Sequence, residues 1–338
     1  MKLLDFSSGK FDKLNPEIFW ENEILLFINE WNSSTEFIIS KTSGSTGTPK
    51  EIRLPKPAMK MSAKMTGEFF GLREGMSALL CMPVNFIAGK MMIVRAMELN
   101  LKLYIVEPKS KIKLDFADKI DFVPMTPMQV ENSLEELSKI KILLIGGAPL
   151  SESLRNKLLE LSVQSFESYG MTETITHIAL KEISEQFFRI LKGVSIQKDN
   201  RDCLVIQTPY FEEEIITNDI VELQNKSEFK WLGRFDNVIN SGGIKLFPEQ
   251  IEKKLKPYIS EEFIITSLPD NLLGEKLILV IEKDTSDFCY AELVEVQMPS
   301  SVLSKYETPK EIHFLQTFPR TESGKVKREK IRDLMNFL

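Results

Sequence analysis

Cysteine is scarce in this chain. Its three cysteines, Cys81, Cys203 and Cys289, lie far apart and form no spacing of a disulfide framework or a metal site. A reduced, cytosolic setting is therefore expected. Long apolar runs are also missing. The longest, such as "KILLIGGAPL", are far too short to span a bilayer, and "MKLLDFSSGK" places Asp5 where a signal peptide needs an unbroken apolar stretch. Basic charge is not in excess: 43 Lys and Arg stand against 49 Asp and Glu, a net charge of −6, which argues against a nucleic-acid partner. There is no internal repeat and no low-complexity tract. What is present, 43% hydrophobic and 27% charged residues over 338 positions, is ordinary for a globular protein of about two domains.

Apolar periodicity organises the chain. Residues 16–31 carry helical spacing, and "EFIIS" (36–40) reads as a short strand. A helix is expected over 56–71, a buried strand at "SALLCMPV" (77–84), a helix over 87–100 and a strand at "LKLYIVEP". Then follow the strand "DFVPMTP", the helix "MQVENSLEELSKI", the buried strand "KILLIGG" (141–147) and the helix "SESLRNKLLELS". Such alternation implies parallel strands joined by crossover helices. From about residue 193 short strands replace it ("CLVIQT", "EEIITNDIVELQ", "EFKWLGR"), predicting a small, mostly antiparallel β subdomain. A break at "RFDNVINSGG" (234–243) precedes a tail that reads helix, strand, strand, helix ("YAELVEVQMPSSVL"), strand. The expected architecture is α/β: a large N-terminal α/β domain with a β subdomain over 1–235, and a small α+β domain over 236–338.

The stretch "KTSGSTGTPK" (41–50) follows the first strand of that alternation. Glycines let a backbone approach a ligand closely, and free N–H groups and hydroxyls donate to anionic oxygens, so this is a design for holding phosphate. It is not a P-loop. Counted from Gly44 the second required glycine falls on Pro49, and Lys50 is followed by Glu51 where a magnesium-binding hydroxyl would stand. A flexible surface linker would not need a lysine fixed behind a proline.

Residues 42–50, TSGSTGTPK, resemble the phosphate-binding motif [ST]-S-G-[ST]-T-G-x-P-K of the acyl-adenylate-forming enzymes, a superfamily that includes acyl-CoA synthetases and luciferases. Further stretches match that family in order. "SYGMTET" (168–174) is similar to its Y-G-x-T-E motif, "TND" (217–219) to its T-G-D with Asn218 in place of glycine, and "GRFDNVINSGGIKLFPEQIE" (233–252) to the block that opens G-R-x-D. "FPRTESGKVKREKI" (318–331) resembles the C-terminal lysine motif. The matches run from about residue 38 to 331.

The resemblance implies roles. Thr42, Ser43, Gly44, Ser45, Thr46, Gly47 and Lys50 would hold phosphates, with Gly147, Ala148, Pro149 and Gly170 also at the nucleotide. Tyr169 would stack on adenine, and Asp219 and Arg234 would contact the ribose. Thr172 would meet the α-phosphate or acyl carboxylate, Glu173 would bind Mg2+, and Lys325 would be the catalytic lysine of adenylation. Ser241, Gly242 and Gly243 would line a channel for coenzyme A. Asp236 would be the hinge about which the tail domain, a mobile lid, exchanges Lys325 for the Ser241–Gly243 loop. The phosphate motif begins at residue 42, whereas family members commonly carry a long preceding segment. The N-terminal domain is thus truncated relative to the family, which leaves open whether its apolar walls are complete in a monomer or in a homodimer.

Three stretches, "MPVNFIAGKMMIVRAM" (82–97), "LLIGGAPL" (143–150) and "SYGMTETITHIAL" (168–180), look like those of the o-succinylbenzoate–CoA ligases of menaquinone synthesis. Phe86 takes the position of a histidine usual there, and Arg95 keeps an arginine. That places Phe86, Lys90 and Arg95 at the acid, with Arg95 facing its remote carboxylate through a planar fork. The implied reaction is o-succinylbenzoate, ATP and CoA to o-succinylbenzoyl-CoA, AMP and diphosphate. The partners are then small molecules, with no nucleic acid and no membrane span. Another acyl- or aryl-CoA ligase, or a non-catalytic nucleotide-binding subunit, are the alternatives. His177 is read as structural or as a pocket wall, and His313 as part of a tail strand.

Overall fold

The computed structural model describes residues 1–41, 51–283, 302–320 and 326–336. Thirteen strands form one sheet, ordered by first residue 195, 203, 215, 228, 188, 177, 164, 140, 120, 77, 102, 2 and 10. Its middle is parallel: Gln164–Gly170, Ile140–Ile145, Ile120–Met125, Ser77–Leu80 and Lys102–Ile105 run the same way. The order reverses between the strands at 77 and 120, so a crevice is expected outside the carboxyl ends of the strands near that reversal. Side chains alternate across the sheet. Leu80 and Leu144 join one core with the helices Phe19–Asn32, Lys56–Phe70 and Ile87–Glu98, whereas Leu79 and Leu143 join a second core with Glu152–Leu159. Among the described residues no helix is long and apolar enough to cross a membrane.

The predicted alternation is observed, with corrections. The strands after residue 193 are antiparallel as expected, and they continue the large sheet. Phe188–Ile190 pairs with both His177–Glu182 and Glu228–Arg234, so hydrogen bonding continues unbroken from the parallel core to Ser195–Lys198. The helix expected over "MQVENSLEELSKI" is split at Ser133 into Pro127–Asn132 and a tighter turn Leu134–Lys139. The first strand, Phe37–Lys41, pairs antiparallel with Glu51–Pro55 outside the large sheet, so residues 42–50 join a hairpin. Those nine positions lie outside the described residues, as do Lys325 and most of the helix expected in "YAELVEVQMPSSVL". An edge hairpin, Lys2–Asp5 with Lys10–Phe11, was not foreseen.

The tail builds its own five-stranded sheet from residue 239 onward. Helix Pro248–Leu255 packs on one face with Ile265 and Leu279, and helix Arg328–Asn336 on the other with Ile264 and Ile278. The first helix also rests against Glu228–Arg234: Gln250 Nε2 donates to the Leu232 carbonyl at 2.9 Å, and Lys253 pairs with Glu152 at 2.6 Å.

Helix Ile87–Glu98 lies so close to the end of Ser77–Leu80 that a Cβ on Gly89 would overlap the carbonyl of Pro83. In an open helix Gly→Ala stabilises by roughly 1 kcal/mol. Here the sign should reverse, with Gly89→Ala destabilising by about 1–3 kcal/mol, the usual cost of overpacking. Urea denaturation measures it, and a stabilised variant would contradict the packing.

Candidate active site

Three strands remote in sequence bring together the residues expected at the nucleotide. Tyr169, near the carboxyl end of Gln164–Gly170, sets its ring against Phe188 and Phe229 with centroids 5.9 and 5.0 Å away. Its hydroxyl donates to Asp219 Oδ2 at 2.6 Å. Asp219 is buried in Ile215–Leu223, and Arg234 stands opposite it in the neighbouring strand, with Nε 3.9 Å from Asp219 Oδ1. Arg234 Nη2 then donates to Asp236 Oδ2 at 2.9 Å. Tyr169, Asp219, Arg234 and Asp236 thus form one connected row.

Burial, then the charge of Asp219, pushes the Tyr169 phenol well above its ordinary value, so it stays a donor near neutral pH. Burial opposes the charge of Arg234, but Asp236 and Asp219 hold its pKa above the ordinary value. Asp219 Oδ2 is occupied by the phenol. Among the described residues Oδ1 accepts no hydrogen bond and can take a ligand hydroxyl.

Asn218, in place of the family's glycine, lies within a strand and has no left-handed backbone. Its side chain bridges instead. Oδ1 accepts from Arg201 Nη1 at 2.9 Å, and Nδ2 donates to Asp236 at 3.2 Å. Arg201 also donates to the Thr217 carbonyl and covers the Phe235 ring. Arg201 lies outside every motif, so only the folded hairpin reveals it.

Arg95, expected at the acid, is 2% exposed. Its partners are neutral: Nε donates to Thr66 Oγ1 at 3.2 Å and Nη2 to Thr176 Oγ1 at 3.0 Å. Among the described residues no carboxylate pairs with it, and burial alone draws its pKa down to about 10. Arg95 is thus an interior residue and not part of a surface salt bridge. His177 bridges the same hydroxyls, with Nε2 3.1 Å from Thr66 Oγ1 and Nδ1 3.4 Å from Thr176 Oγ1. Burial, then the charge of Arg95, holds its pKa well below the ordinary histidine value, so the ring is neutral.

Thr176 belongs to the turn 171–176 that also carries Thr172 and Glu173. A strand, His177–Glu182, follows that turn rather than a helix. Ile175 in the turn is buried at φ +66°, a left-handed conformation that costs a β-branched residue on the order of 1–3 kcal/mol. The turn is held by Thr174 Oγ1, which accepts from Met171 N at 3.0 Å. Glu173 is exposed, and no hydrogen bond or ion pair occupies its carboxylate among the described residues, which hold no cluster of three potential metal ligands. One free carboxylate suits magnesium, which commonly takes one or two carboxylates and completes its shell with phosphate oxygens and water.

The remaining expectations divide. Gly147 follows the strand Ile140–Ile145 at φ +85° and opens the turn to Ala148 and Pro149. Gly170 is required for packing, since a Cβ there would overlap the backbone at Thr176 and His177. Phe86 is 43% exposed at the start of Ile87–Glu98. Lys90 is already engaged: Nζ donates to the Ile39 carbonyl at 2.9 Å and lies over the Phe27 ring, which ties the helix to the hairpin and takes it away from Arg95. Ser241 pairs with Ile244 around Gly242 and Gly243 at φ +58° and +80°, a two-residue hairpin turn that needs positive φ at both positions. The glycines are thus explained by the turn itself.

The chain is similar to known proteins. A family model of AMP-binding enzymes matches residues 26–197. An acyl-CoA synthetase (AMP-forming)/AMP-acid ligase II-like protein from Dyadobacter fermentans is 34% identical, over 97% of each chain, with a TM-score of 0.63. The 2-succinylbenzoate–CoA ligase of Bacillus cereus (strain ATCC 10987) is 26% identical over 90% of this chain and 72% of its own length. The o-succinylbenzoate coenzyme A synthetase of Bacillus subtilis, in complex with ATP and magnesium ion, shares the fold at 20% identity, with a TM-score of 0.73 over 87% of this chain and 69% of that one.

Proposed function

Because the chain belongs to the family of AMP-binding enzymes, we propose that it joins a carboxylic acid to coenzyme A through an acyl-adenylate, and that the acid is o-succinylbenzoate. The observation that carries the substrate is Arg95. Nε and Nη2 share one edge of the guanidinium, and both donate to threonine hydroxyls. The end-on fork of Nη1 and Nη2 remains for an anion. A buried cation without a counter-charge is costly, and an acid bringing a second carboxylate would supply it.

The reaction divides into two displacements. A carboxylate is a poor electrophile because its leaving group would be oxide. Its oxygen attacks the α-phosphorus of ATP and diphosphate leaves, giving a mixed anhydride. The thiolate of CoA then attacks the acyl carbon and AMP leaves. Asp219, steadied by Tyr169, and Arg234 orient the ribose. Thr172 meets the acyl and phosphate oxygens, and Lys325 stabilises the charge developing at phosphorus. Glu173 would hold magnesium, which would supply charge neutralisation at the phosphates. Residues 236–338 act as the lid, turning about Asp236 between the two steps.

Diphosphate release over a panel of aryl and alkyl acids, with and without CoA, tests the reading. Release with o-succinylbenzoate and thioester only when CoA is present supports it. Release with monocarboxylic acids alone overturns the substrate, and none with any acid favours a non-catalytic subunit.

Asp219→Ala should weaken ATP binding on the order of tenfold or more, since a hydrogen bond to a charged group contributes about 1.5–3 kcal/mol. It also strands the Tyr169 hydroxyl, costing about 1–3 kcal/mol of stability. Calorimetric titration checks the first effect and a denaturant melt the second; unchanged affinity would remove Asp219 from the site.

A further inference from the structure

We propose that His177, acting with Thr66 and Thr176, is a specificity-determining positioning residue: it holds the Arg95 guanidinium so that its end-on fork stays turned to the second anionic group of the acid. The inference rests on Arg95 as the anion partner and adds the residues that aim it.

The hydrogens can be assigned from the contacts. Thr66 Oγ1 lies 3.1 Å from the Ser62 carbonyl, which can only accept, so the Thr66 proton points there. The same oxygen must then accept from Arg95 Nε, and from His177 Nε2 at 3.1 Å. That places the ring proton on Nε2 and leaves Nδ1 an acceptor. Thr176 Oγ1 accepts from Arg95 Nη2 at 3.0 Å, so its proton is free to point to Nδ1. Each contact of the ring Arg95–Thr66–His177–Thr176 then has one donor and one acceptor, and only a neutral imidazole with this tautomer closes it. An imidazolium would present a donor where the Thr176 hydroxyl already donates, and would set a second cation beside Arg95.

His177 therefore fixes the Thr176 hydroxyl and braces the Thr66 hydroxyl, on which the guanidinium rests. Without it the Thr176 hydroxyl can rotate while Thr66 keeps only its bond to the Ser62 carbonyl, so the side-on edge loses one defined acceptor and the brace on the other. A fork that must meet a planar carboxylate bidentately is sensitive to such tilting. Three parts of the fold supply the ring: Thr66 from Lys56–Phe70, Arg95 from Ile87–Glu98, and Thr176 and His177 from the junction of the turn bearing Thr172 and Glu173 with the strand His177–Glu182. The grip on the acid is thereby set relative to the adenylating turn.

The test compares kcat and KM for o-succinylbenzoate with those for the same molecule lacking one or the other carboxylate. His177→Leu removes both hydrogen bonds, His177→Asn keeps one donor and one acceptor, and Thr66→Val removes one hydroxyl at constant shape. The expected result is an about tenfold fall in preference for the dicarboxylate in His177→Leu and Thr66→Val, expressed in KM, with most of the preference restored in His177→Asn. Equal losses on both acids in folded Thr66→Val, or an unchanged preference, would overturn the positioning role. Arg95→Ala separates the two ideas. If it abolishes the preference while His177→Leu and Thr66→Val do not, the ring fails and Arg95 stands; if it leaves the preference intact, both fail.

Discussion

Arg95→Ala is expected to cost about 2–5 kcal/mol of binding for o-succinylbenzoate, as when one partner of a buried charge pair is truncated. The loss should appear in KM for the dicarboxylate and be small for an aryl monocarboxylate lacking the remote group. Both substrates share the ATP and CoA sites, so the comparison is internal. The fold should tolerate the change better than most losses of a buried arginine, because no carboxylate among the described residues is left unpaired. The stranded groups are two threonine hydroxyls, one still bonded to the Ser62 carbonyl. Steady-state kinetics on both acids, with a thermal melt alongside, decides the matter; parallel losses would make Arg95 structural.

Lys325→Ala should divide the two half-reactions. Formation of the adenylate is expected to slow by about 10²–10³ or more, the scale on which removing one preorganised donor to developing charge acts. Thioester formation from supplied acyl-adenylate and CoA should be largely retained, because the lysine would by then have left the site. Lys325 lies outside the described residues, and the prediction stands on the resemblance of "FPRTESGKVKREKI" to the family's lysine motif. Diphosphate release measures the first half and AMP release the second; an equal loss in both would refute the assignment.

The parallel core was legible because its strands are buried on both faces and read as apolar runs, as in Ile140–Ile145. The edge hairpin Lys2–Asp5 was not, since a strand that short with one exposed partner carries almost no pattern. Short strands after residue 193 announced antiparallel structure, but not that Phe188–Ile190 would splice them to the core. Three residues leave no periodicity to read. At the site, motifs located Tyr169, Asp219, Arg234 and Asp236, which converge in space. Motif position did not show that the Lys90 ammonium would also reach a backbone carbonyl 51 residues away. Thr66, Arg201 and the bridging function of His177 follow only from which strands and helices meet.

The continuous sheet bears on how a nucleotide is received. Asp219 sits on a strand bonded along both edges, by Cys203–Gln207 on one side and Glu228–Arg234 on the other. Its carboxylate is aimed before any ligand arrives, so if Asp219 takes the ribose as proposed, little configurational freedom is surrendered at that end of the ATP molecule. The entropic cost of binding should fall elsewhere, on whatever must rearrange around the phosphates and the lid. Adenosine and AMP would then report on a rigid half-site, while ATP with an acid would report on the ordering that adenylation itself requires.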